Sequence, residues 1–189
     1  MTRSTDKAWR VACLLFAGFT ASLPVIADHA EIRDARTLLV DGVYRVGANV
    51  VFDMDEKVQA ALDNGVPLVV RVNIKVIRQH NRFWKTTESV VNKRYRIQYH
   101  ALSQRYIVKN LKKNTQTSFR FISDVLEAIG TVYDVPVIRD SQVQGRKDYR
   151  VRMQVSFDVE SLPTPIRLWA YFGSDWKLTG GWHEWPLHP

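Results

Sequence analysis

The chain has 189 residues, with 27 Lys/Arg against 19 Asp/Glu and a formal net charge of +8. Its one cysteine, Cys13, lies in the N-terminal segment. That excludes a disulfide framework, so stability has to come from an apolar core of single-domain size.

Residues 1–27 read as a cleavable secretory signal. Arg3, Lys7 and Arg10 precede an apolar run from Val11 to Leu23; Pro24 breaks the run, and Ala27 precedes Asp28. The run is shorter than the ~20 apolar residues of a spanning helix, so cleavage is expected after Ala27 with no transmembrane segment left after processing. A lipidated cysteine would follow the run, whereas Cys13 sits near its start. The expected organisation is a signal over 1–27 and one β-rich domain over 28–189, located in the periplasm.

Residues 30–40 and 43–53 predict two strands joined at Asp41-Gly42, a tight hairpin signal. Asp53 then reads as a helix N-cap, with Glu56 completing a capping box. Val58, Ala61 and Leu62 make one short helical face, closed by Gly65 and Pro67. The long strand that follows puts Leu68, Val70, Val72, Ile74 and Val76 on one face and Arg71, Asn73 and Lys75 on the other. In the next strand, Val91 to Tyr99, Tyr95, Ile97 and Tyr99 oppose Arg94, Arg96 and Gln98. A third strand has Tyr106 and Val108 inside, with Arg105 and Lys109 outside.

Residues 110–117 read as a polar loop, and Ile122, Val125, Leu126 and Ile129 as a helix face ahead of Gly130. Residues 139–148 are loop-like. Tyr149 to Val159 alternate as another half-buried strand. Leu162-Pro163-Thr164-Pro165 predicts an extended turn, and a strand from Ile166 to Phe172 leads to an aromatic tail. A coarse repeat of strand, helix and long strands in 43–100 and 105–178 is a hint about fold only. The expected fold is α+β and mainly β, with an antiparallel sheet or two-sheet sandwich and two short helices.

Charge is uneven along the chain. Residues 71–120 hold thirteen Lys/Arg and one acid, Glu88. If the three central strands pair in sequence, Arg71, Lys75, Arg94, Arg96, Arg105 and Lys109 gather on one sheet face. Like charges side by side are costly unless water or an anion screens them. The expected partner is an anionic surface (a lipid headgroup or a cell-wall polymer) or an acidic protein face, and not nucleic acid. A plain solvated face is the competing reading. Changing Arg94 and Arg96 together to Gln is expected to lower such binding with little loss of folding. Trp169, Trp176, Trp182 and Trp185 form a second candidate, for aromatic contact or for closing the core.

No catalytic pattern emerges, and no cofactor or metal is implied. His183-Glu184-Trp185-Pro186-Leu187-His188 misses the HExxH spacing by one, and Pro186 forbids the helix that motif needs. Asp53-Met54-Asp55 fits a helix start better than a metal site. His29, His80 and His100 have no ligand spacing, and no GxSxG elbow exists.

The stretches Ala61-Leu62-Asp63-Asn64-Gly65-Val66-Pro67-Leu68 and Tyr99-His100-Ala101-Leu102-Ser103-Gln104-Arg105-Tyr106 resemble bacterial exported proteins grouped as domain of unknown function 4390. So do Leu162-Pro163-Thr164-Pro165-Ile166-Arg167 and Ser174-Asp175-Trp176-Lys177-Leu178. The resemblance implies export and partnership with a membrane sensor kinase of the nitrogen-regulation type, and it carries no catalytic residues. The expected role is a non-enzymatic binding or accessory module. A periplasmic carrier or sensor of an apolar ligand, and an enzyme with an unrecognised site, are the alternatives.

Overall fold

The computed structural model describes residues 30–81, 83–145, 148–164, 167 and 180–188. The strands are β1 (Ala30–Val40), β2 (Val43–Phe52), β3 (Leu68–Gln79), β4 (Lys85–His100), β5 (Arg105–Asn110), β6 (Thr115–Phe119), β7 (Thr131–Arg139), β8 (Tyr149–Phe157) and β9 (His183–Pro186). The helices are α1 (Glu56–Asp63) and α2 (Ile122–Gly130). The strands form two antiparallel sheets, one ordered β1-β2-β7 and one ordered β6-β5-β4-β3-β8-β9. Among the described residues the fold is therefore mainly β with two short α-helices, α1 and α2, and neither sheet closes into a barrel.

Asp41 and Gly42 both have positive φ, 50° and 71°, as a two-residue hairpin turn requires, and β1 pairs β2 from Val40↔Val43 to Ala30↔Phe52. A bulge interrupts this ladder between Arg33 and Arg36. Asp34 there adopts φ 50° and accepts a 3.0 Å bond from the Asn49 side chain. The central strands pair in sequence order, with β3 against β4 and β4 against β5. On β3, Leu68, Val70, Val72, Ile74 and Val76 are at most 2% exposed. They face the core together with Val151, Met153 and Val155 of β8, Tyr44, Val46 and Val50 of β2, and Val58 and Leu62 of α1. Helix α2 packs on β2 and also reaches β5, β6 and β7, so it bridges the two sheets.

Several expectations need correction. The N-cap of α1 is Asp55, not Asp53: its carboxylate accepts the Lys57 N–H at 2.8 Å, and Asp53 lies directly after the end of β2 at Phe52. Part of the expected loop at 110–117 is strand, because β6 pairs with β5 from Asn110↔Thr115 to Tyr106↔Phe119; Asn114, at φ 54°, turns the chain back tightly enough to pair. Thr164 and Arg167 are helical, and the Arg167 N–H reaches the Pro163 carbonyl at 2.9 Å, where the proline pair predicts an extended turn. Proline lacks an N–H and is tolerated in a first helical turn. Strands β7 and β9 escaped the reading altogether. The second half departs from the coarse repeat in one respect: β7, which belongs to the three-stranded sheet, comes between α2 and β8. The predicted strand at Ile166–Phe172 falls, apart from Arg167, outside the described residues, as do the predicted signal over 1–27 and Cys13.

Candidate functional site

The outer face of the six-stranded sheet carries the basic residues. Register places them in rows across the strands. Glu184, Arg152, Lys75 and Val90 form one row, and Gln154, Asn73 and Asn92 the next. Ser156, Arg71 and Arg94 follow, then Val69, Arg96, Lys109 and Gln116. Arg105 lies beyond them, opposite His100. All six predicted bases thus share one face, because strict alternation on β3, β4 and β5 sends them away from the core.

Two of the six are anchored. Asp158 follows β8, and its side chain is 2% exposed. Its carboxylate takes Arg71 at 2.5 Å and Arg94 at 2.8 Å. Its own N–H donates to the Val69 carbonyl at 2.7 Å. The fork tacks the end of β8 across β3 to β4. Arg94 is therefore not a free surface charge, and changing it with Arg96 would mix a structural effect with a binding one. Arg105 donates to the Ser118 hydroxyl and carbonyl. Lys75 and Arg152 both lie 4.9 Å from the centre of the Trp182 ring, a cation–π distance. Arg96 and Lys109 face each other directly, and neither has an acid partner among the described residues.

Sequence reading missed the rest of this face. Arg150 and Arg152 alternate outward on β8, so the signal was present, but nothing local says that β8 lies beside β3. Glu184 neutralises them at 2.5 and 3.3 Å and stands 4.0 Å from Lys85. Lys93, counted in the basic block, lies on the opposite face, directly across from the buried Val72. Burial, with a smaller repulsion from Lys113, lowers its pKa.

The aromatic candidates separate. Trp185 is 8% exposed and its indole N–H donates to Thr37 at 2.9 Å, joining β9 to β1 of the other sheet. It is a core residue. Trp182 belongs to the outer face, and Trp169 and Trp176 lie outside the described residues. The HExxH-like stretch is strand, with Glu184 committed to the arginines and the His188 ring edge-on to Tyr44. Among the described residues no three His, Cys, Asp or Glu side chains gather closely enough to hold a metal, and no helix is long and apolar enough to cross a membrane. A cleft of about 500 Å³ between β2 and α2, lined by Val51, Phe52, Leu126 and Glu127 among others, opens to solvent.

The family model described as Domain of unknown function (DUF4390) matches residues 27–186. No curated protein and no solved structure matches the chain.

Proposed function

We propose, from the premise that this chain belongs to the DUF4390 family, that it is an exported, non-enzymatic module whose basic sheet face docks on an acidic face of an envelope protein. One observation carries the reading. Arg96 and Lys109 sit side by side on neighbouring strands without an acid partner among the described residues, an arrangement that costs energy until an anion arrives. Around them Arg71 and Arg94 are held rigid by Asp158, and the Gln154, Asn73 and Asn92 row supplies neutral hydrogen-bonding groups. A preorganised face of this kind suits carboxylates spread over a protein surface.

Immobilised poly-glutamate serves as the probe. The chain is expected to bind it at low salt and to release it as salt rises past the ~8 Å screening regime of physiological ionic strength. Changing Arg96 and Lys109 together to Gln should weaken binding on the order of tenfold, as the loss of two close charge contacts predicts, while thermal unfolding stays put. Unchanged binding by a folded double variant would show the face to be merely solvated.

A further inference from the structure

The β3–β4 turn carries two aromatic side chains that the core does not use. Phe83 is 93% exposed and Trp84 is 65% exposed. The turn is nevertheless well built. The Asn81 side-chain oxygen accepts the N–H of Phe83 at 2.9 Å and of Trp84 at 2.7 Å, and the His80 N–H donates to the Trp84 carbonyl at 3.0 Å. Two apolar rings are thus presented on a turn in which the N–H groups of His80, Phe83 and Trp84 are already satisfied from within.

A second hairpin ends at the same end of the molecule. Arg78 pairs with Tyr149, whose carbonyl accepts the Leu187 N–H, and the neighbouring His188 packs edge-on against Tyr44 at the start of β2. The β1–β2 turn is therefore at the same end of the molecule, and it exposes Leu38, Leu39 and Val40 at 55%, 45% and 41%. The β3–β4 arm has no acid anywhere between Asp63 and Glu88, while Arg78, Arg82 and Lys85 flank its aromatics. The only acid within reach of Lys85 among the described residues is Glu184, at 4.0 Å. Asp41 in the neighbouring turn is the nearest opposing charge in sequence to the exposed leucines.

We infer that this end is a membrane-interface anchor: Phe83 and Trp84, with Leu38–Val40 at the same end of the molecule, dip into an anionic lipid surface. Three features favour lipid over a protein pocket. The two rings stand out from the turn, at 93% and 65% exposure, where both can enter a bilayer together. Trp and Phe beside Lys and Arg are the combination that settles at the boundary of headgroups and acyl chains. The internally bonded Phe83 and Trp84 N–H groups need no partner from outside as the rings leave bulk water. The site is separate from the Arg96–Lys109 face and does not rest on it.

The test uses the full chain with vesicles of phosphatidylcholine and phosphatidylglycerol whose acyl chains are brominated near the headgroup. Residues 11–23 are apolar and give the whole chain a second route to lipid, so the readout must be Trp84 alone. Subtracting the emission of W84F from that of the unchanged chain isolates it. The expected result is a blue shift and strong quenching of the Trp84 component, reduced by F83S and weaker with phosphatidylcholine alone. R96Q/K109Q should leave this signal intact, which separates the anchor from the sheet face. A Trp84 component that stays unquenched while the protein is bound to vesicles overturns the proposal. So does quenching lost in R96Q/K109Q but kept in F83S.

Discussion

Asp158 is the residue whose role is most sharply set by its surroundings. A carboxylate with 2% exposure is stable there only because two arginines cap it. Asp158→Ala is expected to destabilise the chain by roughly 1.5–3 kcal/mol, the range for hydrogen bonds to charged groups; urea unfolding checks this. Both arginines keep partial access to water, so the loss falls short of that for a fully buried pair. Tyr106 makes a second sharp case. Burial first, and then its 2.6 Å bond to Asp63, push its hydroxyl up to about 12. A phenol whose folded pKa lies above its unfolded value of 10.0 stabilises the fold at all pH below 10. That contribution is lost as pH rises through about 12. Ultraviolet titration should show Tyr106 among the last tyrosines to ionise. Asp63→Asn should lower its pKa only in part, because burial is the larger cause.

At the scale of elements, α2 depends on closeness rather than on capping. Phe121 at its N-cap makes no side-chain bond. Its last residue, Gly130, lies against β2, where a Cβ would overlap the Val50 carbonyl and press on the Phe52 ring at 3.3 Å. Gly130→Ala should therefore cost about 1–3 kcal/mol, as overpacking typically does, and a shift of the thermal midpoint would report it. The sequence marked this glycine as a helix stop, and the structure shows it is also the point of closest approach to a sheet. The Asp41-Gly42 hairpin and the alternation of β3, β4, β5 and β8 were legible because each is a local pattern. Strand β7 was not: Tyr133, Asp134 and Pro136 break its alternation, and Asp134 at φ 50° marks a bulge. Strand β9 is four residues long, too short for any periodicity to show.

For the whole molecule, the proposed export makes a definite demand on the N-terminus. Strand β1 begins at Ala30, so cleavage after Ala27 would leave two residues ahead of the first paired one. Protein recovered from an exporting bacterium should start at Asp28 on N-terminal sequencing. Recovery of membrane-bound chain that begins at Met1 would contradict the periplasmic reading. The candidate face is likewise a property of the whole molecule. Six of its bases could be placed by alternation, but Arg150, Arg152, Glu184 and Asp158 join only because β8 returns to pair with β3 across about half the chain.

The sequence by itself determined the mainly β class, the first hairpin, both helices and the outward direction of Arg71, Lys75, Arg94, Arg96, Arg105 and Lys109. Each follows from interactions between residues close in the chain or from a period of two, which one strand carries without help. Tertiary structure alone decided which of those bases are neutralised. Asp158 reaches Arg71 and Arg94 from a strand end more than sixty residues away, and Lys93 turns inward although its neighbours in sequence do not. It also decided that Trp185 is core while Phe83 and Trp84 stay outside it. Burial depends on which surfaces meet, and strand order is chosen by the packing of two whole sheets rather than by any one of their segments.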